Sequence, residues 1–225
     1  AQTVPPCTLE ITDAETFARD WTVIDVNSNV SANTWAYNDG NAMYTQDKSN
    51  AADDWLIAPA VTLEAGKAYK VSAYVKHSST FGSDKQKIEL KIGTAPTVEG
   101  LTTRLVYDES FQSRLFVEKS GTFSPAESGV FYVGLRCYSG SYMGDLYFQK
   151  IVIEEAPVYP VQITDLSIVA GERGAMSATL SWTWPSSDHL GGALSNLLGA
   201  KIYRGTDLVA TLDTATVGGK AGWID

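Results

Sequence analysis

Apolar side chains recur at every second residue along most of this chain, a period that fits a half-buried β-strand and not a helix. Tyr69, Val71, Ala73 and Val75 alternate with Lys70, Ser72, Tyr74 and Lys76. Ile88, Leu90 and Ile92 alternate with Lys87, Glu89 and Lys91, and Phe131, Val133, Leu135 and Cys137 alternate with Tyr132, Arg136 and Tyr138. Each run predicts a strand with one core face and one wet face. No window of eleven residues keeps a helical period with caps, so the chain reads as all-β. Clusters of Gly, Ser, Asp and Asn at Asn38-Asp39-Gly40-Asn41, Ser78 to Asp84 and Ser139 to Gly144 read as the connecting loops. In one run Leu146 and Phe148 share a phase while Ile151 and Ile153 share the other. A β-bulge at Gln149-Lys150 would bring all four to one face.

At Glu154-Glu155-Ala156-Pro157-Val158-Tyr159-Pro160 two prolines and a charge pair end this pattern, which places a domain boundary there and gives domains of residues 1–156 and 157–225. Beyond it Ala178, Leu180, Trp182 and Trp184 alternate strictly until Pro185, where a strand must stop. Ser186 to Leu198 reads as a loop, and Lys201 to Ala210 as two short strands around Gly205. An immunoglobulin-like sandwich takes roughly 100 residues. The second domain therefore looks incomplete.

The balance of 17 Lys+Arg against 26 Asp+Glu, a net charge of −9, excludes a phosphate-backbone binder, because affinity for nucleic acid comes from clustered cations. No apolar run reaches the roughly 18 to 20 residues that span a bilayer. The start Ala1-Gln2-Thr3 fits a chain left after signal-peptide cleavage, so the expected location is secreted or at the outer cell surface. Cys7 and Cys137 are too far apart for a metal-ligand spacing. They could form a disulfide if their strands are neighbours, or remain free.

Catalytic signals are weak. Nucleophilic catalysis needs a base within reach of Ser or Cys. The two histidines, His77 and His189, both read as exposed loop residues. No GxSxG, HExxH, P-loop or GxGxxG string occurs. Asp53-Asp54, Asp108-Glu109 and Glu154-Glu155 supply carboxylates, but neighbours on a strand point to opposite faces, and these doublets read as turn or edge carboxylates.

Two binding readings remain. Asp25-x-Asn27-x-Asn29 has the oxygen-ligand spacing with which a calcium loop begins, although Val30 and Ala36 exclude an EF-hand. A calcium site on a sandwich would draw on Asp25 or Asn27 with Asp13, Glu15 or Asp145. The alternative is an Asx-rich turn. For sugar recognition, which uses aromatic platforms with a few polar groups, the candidates are Tyr37, Tyr44, Tyr138 and Tyr142 near Asn38, Asp39, Asn41, Arg136 and Asp145. Trp35, Trp55 and Trp182 read as core.

The order of several pieces is also informative: Phe17-(x3)-Trp21 through Asn27, Asn33-Thr34-Trp35, Asp53 through Val61, Gly66-Lys67-Ala68-Tyr69, and Phe131 through Ser139 followed by Leu146-Tyr147-Phe148. Together they resemble the cleaved-adhesin, or choice-of-anchor J, family over most of residues 7 to 155. The resemblance implies a jelly-roll β-sandwich related to carbohydrate-binding modules, working in adhesion outside bacterial cells of the Bacteroidetes. It also implies structural calcium held partly by an Asp-Asp pair in the last strand, where this sequence has Gln149-Lys150. Leu180-Ser181-Trp182, Asp188 to Leu194, and Ile202-Tyr203-Arg204 with Leu208-Val209-Ala210 resemble a fibronectin type III domain, with Trp223-Ile224-Asp225 opening its next strand. The expected function is a non-catalytic extracellular module that recognises glycan or host protein. The alternative is an accessory pair belonging to a larger secreted peptidase or glycoside hydrolase.

Overall fold

The computed structural model describes residues 3–27, 33–79 and 81–225. In chain order the elements are β1 (Cys7–Glu10), α1 (Ala14–Asp20), β2 (Thr22–Asp25), β3 (Trp35–Asn38), β4 (Asn41–Tyr44), β5 (Asp54–Ile57) and β6 (Val61–Leu63). There follow β7 (Ala68–His77), β8 (Gln86–Gly93), β9 (Thr103–Phe111), β10 (Val117–Phe123), β11 (Gly129–Cys137) and β12 (Leu146–Ala156). The last five are β13 (Ser167–Ala170), β14 (Ala178–Thr183), β15 (Ala200–Arg204), β16 (Asp207–Leu212) and β17 (Lys220–Ile224). They divide into two compact units, Ala1–Ala156 and Pro157–Asp225. No helix among the described residues is long and apolar enough to cross a membrane.

The first unit is a sandwich of two antiparallel sheets. One runs β10-β7-β12-β4-β3, with β1 continuing the edge of β12; the other runs β2-β5-β11-β8-β9, with β6 continuing the edge of β11. The chain passes repeatedly from one sheet to the other, which is the wiring of a jelly roll. The alternating residues meet between the sheets: Val71, Ala73 and Val75 of β7, Ile88, Leu90 and Ile92 of β8, and Val133, Leu135 and Cys137 of β11 share one core. Fully burying one of the Val, Leu or Ile side chains among them contributes about 1.5–3 kcal/mol. The bulge lies where the phase change puts it, because the β12–β7 register shifts between Phe148 and Lys150. Leu146, Phe148, Ile151 and Ile153 all reach the core.

The architecture is nearly all β, as the alternation predicts. Helix α1 is a short exception: the Asp13 carboxylate accepts from the Thr16 N–H at 2.7 Å, and the Trp21 N–H closes the last turn on the Phe17 carbonyl. Its seven residues are too few to leave a period, yet Phe17 and Trp21, four apart, both enter the core. Asn38-Asp39-Gly40-Asn41 connects β3 to β4 as a tight hairpin turn, with Asp39 and Gly40 at φ +46° and +75° between paired Asn38 and Asn41. Tyr44, expected in a loop or on a wet face, is instead buried against Trp35. His77 is no exposed loop residue either. It ends β7 inside the sandwich, with Nε2 2.6 Å from the Met143 carbonyl. The polar end of the core is completed by Gln86, whose amide donates to the Gly144 carbonyl and whose oxygen accepts from Ser139. Cys7 and Cys137 are both free thiols, on strands of different sheets.

In the second unit β13-β14-β17 form one sheet and β15-β16 a hairpin around Gly205 at φ +63°. Trp182 and Trp184 are buried and meet edge to face at 5.4 Å, whereas Ala178 and Leu180 are half-covered. Strand β13 is absent from the sequence reading because its residues are all exposed. Strand β17 begins at Lys220, before the expected Trp223, and pairs with β14.

Candidate functional site

The sugar-binding candidates do not gather in one place. Tyr37, Asn38, Asp39 and Asn41 belong to the β3–β4 hairpin, where Tyr37 packs against the core and the Asn41 amide donates to the Asp39 carbonyl. Tyr44 is removed from the set by its burial. Tyr142, exposed and at φ +60°, borders a shallow cleft with Gln46, Ser78, Phe81 and Asp84. Only Arg136 and Tyr138 share a surface that is built up by other strands.

That surface is the outer face of the second sheet. The core claims Leu135 and Cys137 of β11, so Arg136 and Tyr138 must point the other way. Register then sets Arg136 opposite Trp55 of β5 and opposite Glu89 of β8, and Glu89 opposite Tyr107 of β9. Trp55 is 1% exposed, yet it lies outside the main core, packed with Ile57 and Leu101. Lys91 Nζ and the Arg136 guanidinium each stand 5.6 Å from its ring. The indole Nε1 meets no acceptor among the described residues, so Trp55 contributes its ring as a floor.

Glu89, expected on a wet face, is 2% exposed because three cations cover it. Arg104 Nε lies 2.6 Å from its carboxylate, Arg136 3.4 Å and Lys91 3.5 Å. Arg136 Nε also donates to Asp53 at 2.7 Å, and this link together with Glu89 keeps the guanidinium of Arg136 charged. The fixed guanidiniums hold the rings: Arg136 is 5.1 Å from the centre of Tyr138 and Arg104 is 4.6 Å from that of Tyr107. The two tyrosines stack at 6.2 Å with their planes 21° apart. Burial, with the Tyr107 phenol beside it, raises the Tyr138 phenol above its ordinary range. Tyr107 remains 51% exposed.

The sequence reading misses Glu89, Lys91, Arg104, Tyr107 and Asp53 as site residues. Their signal is present, since Lys87, Glu89 and Lys91 occupy alternate outward positions. The pairing of β8 with β11 and β9 is what joins them to Arg136, and no local pattern carries that pairing.

The calcium candidates assemble no better. Asp13 spends its oxygens on Thr12 and Thr16 at the start of α1, which lowers its pKa, and Glu15 lies in the same first turn. Asp25 ends β2, Asn27 donates to the Ala51 carbonyl, and Asp145 accepts from the Gln46 N–H. Asn29 and Val30 lie outside the described residues. Among the described residues no three His, Cys, Asp or Glu form a group able to hold a metal. Lys150, in the position of the expected Asp-Asp pair, rests its ammonium 5.1 Å over the ring of Tyr74.

The carboxylate doublets separate as the strand geometry requires. Asp53 joins Arg136 on the outer face, while Asp54 is fully buried on the inner face opposite Cys137, so it is neither a turn nor an edge residue. Neither histidine hydrogen-bonds a Ser or Cys among the described residues: His77 bonds Met143 and His189 bonds Tyr159.

No family model matches the sequence, and no curated protein matches it. Solved structures do align. The K3 cleaved adhesin domain of Lys-gingipain from Porphyromonas gingivalis is 11% identical, with 64% of this chain and 92% of that one covered at a TM-score of 0.47. The K1 cleaved adhesin domain of the same protein is 15% identical, with 67% and 99% covered at 0.47. The chain is similar to these cleaved adhesin domains. The BiXyn10A CBM1 structure is 20% identical, with 69% of this chain and 100% of that one covered at a TM-score of 0.47.

Proposed function

We propose that this chain is a non-catalytic extracellular binding module that recognises a glycan across the outer face of the second sheet. The observation that carries this reading is the pair Tyr107 and Tyr138, stacked and held by Arg104 and Arg136 around buried Glu89. A sugar ring has an apolar face and a rim of hydroxyls. An aromatic surface set among fixed charged donors offers a complement to both. Because the guanidiniums are anchored before any ligand arrives, little ordering has to accompany binding. The same chemistry, with no nucleophile–base pair beside it among the described residues, favours recognition over turnover.

A glycan array followed by titration of the best hit tests the proposal. Tyr107→Ala is expected to weaken binding about tenfold, the about 1.4 kcal/mol that a ring face contributes, while loss of the stack on Tyr138 lowers the unfolding midpoint by only about 2–4 °C, leaving the chain folded at the binding temperature. Tyr142→Ala, on a separate loop, should leave affinity unaltered. Silence across the glycans, with Tyr107-dependent binding to an extracellular matrix protein instead, would replace the glycan by a protein partner.

A further inference from the structure

We infer that the glycan taken by this face is acidic, carrying a carboxylate or sulfate that Arg104 holds together with Lys91; this rests on the reading of the face as a glycan site. Three cations, Lys91, Arg104 and Arg136, converge on two carboxylates, Glu89 and Asp53, in a chain whose net charge is −9. Lys87 nearby is matched by Glu109 at 3.7 Å and adds nothing to the balance. The face therefore keeps one positive charge in excess where the chain as a whole repels anions.

The donors that remain are placed to use it. Arg136 is occupied on both sides, with Nε on Asp53 and a terminal nitrogen on Glu89. Arg104 makes one bond, from Nε to Glu89 at 2.6 Å, and its side chain is 56% exposed. Its two terminal nitrogens, the fork that matches the two oxygens of an oxyanion, make no hydrogen bond with the described residues. Lys91 stands opposite it in the β8–β9 register, 3.5 Å from Glu89, with further N–H donors. Arg104 also lies over the ring of Tyr107, so an anionic group on the fork places its sugar ring beside the most exposed aromatic of the face. Glu89 has the opposite role. Buried and shared by three cations, it fixes them and offers little capacity to accept from a neutral sugar's hydroxyls.

Titration calorimetry of the full chain with oligogalacturonate, its carboxyl-reduced neutral counterpart and a sulfated oligosaccharide of similar length tests this. The acidic oligosaccharide should bind at least tenfold more tightly than the neutral one at low ionic strength, and raising the salt should erode that preference. Arg104→Gln should remove most of the preference while weakening neutral binding only a few-fold, the loss of its contact with the Tyr107 ring, and Arg104→Lys should restore part of the preference. Preference for the sulfated oligosaccharide over the uronate would assign the fork to sulfate. Equal binding of acidic and neutral forms, both weakened by Tyr107→Ala, would overturn the acidic class while the glycan reading stands. Absence of binding to all three, together with a silent array, would overturn both.

Discussion

Gly93→Ala should destabilise the first unit by about 3 kcal/mol and strip the cover from Trp55. A methyl group at Gly93 would lie 1.8 Å from the Gly100 carbonyl oxygen and 2.8 Å from the Leu101 Cα, which are backbone atoms that cannot swing aside like a flexible side chain. The turn ending in Leu101 is held there by the Gly100 and Leu101 N–H groups bonding back to Thr97. Leu101 is the residue that closes over Trp55 and Ile57. Relief of the clash therefore lifts Leu101 away, and the small outer core loses its lid. For a domain of this size about 3 kcal/mol lowers the midpoint by about 10 °C. Gly129→Ala is the control, since the nearest atom to its new methyl group is 4.0 Å away, and it should change stability by less than about 0.5 kcal/mol. Denaturant unfolding followed by amide protection in β5 and β11 measures both. Equal stabilities for the two variants would mean that the turn is not seated on Gly93.

The second large effect is a pH dependence of opposite sign to that of most carboxylates. Burial pushes the Asp54 carboxyl up to about 6 from its ordinary 3.8. Between those values the folded chain holds a proton that the unfolded chain releases, so the contribution of Asp54 to stability falls as pH rises from about 4 to above 6. Asp54→Asn removes the charge and should be more stable than the parent at pH 7 by about 2 kcal/mol, with the gap closing toward pH 4. The difference between the two proteins is the quantity to follow. Asp13, Asp84 and Glu118, held below their ordinary values by hydrogen bonds, cost both proteins stability alike in more acid solution. A gap of constant size from pH 4.5 to 7 would show that Asp54 is charged throughout or solvated.

Both effects lie where the sequence was silent. The alternation of Val71 to Val75 and of Phe131 to Cys137 makes the strand faces readable, because side-chain direction in a strand depends only on local period. The bulge at Gln149-Lys150 was legible for the same reason: two apolar pairs of opposite phase can share a core only if one residue is added. Arg136 and Tyr138 could be placed on an outward face together. Their partners could not, because Glu89 and Tyr107 join them only through strand pairings between distant segments. Tyr44 and His77 read as exposed because a polar stretch follows each of them, Thr45 to Asn50 and Ser78-Ser79, while the residues that bury them, Trp35 and the loop at Met143, come from elsewhere in the chain.

Residue order is enough to give the strand faces, the bulge, the change of pattern near Pro157 and the absence of any familiar catalytic string. Each is a property of neighbours along the chain, where spacing alone fixes direction. The tertiary structure decided that Glu89 is buried, that Trp55 is the floor of an outer face instead of part of the main core, and that Arg104 carries an open fork. Those properties depend on which strands pair and in what register, and a one-residue slip in register would have turned every one of them to the other side.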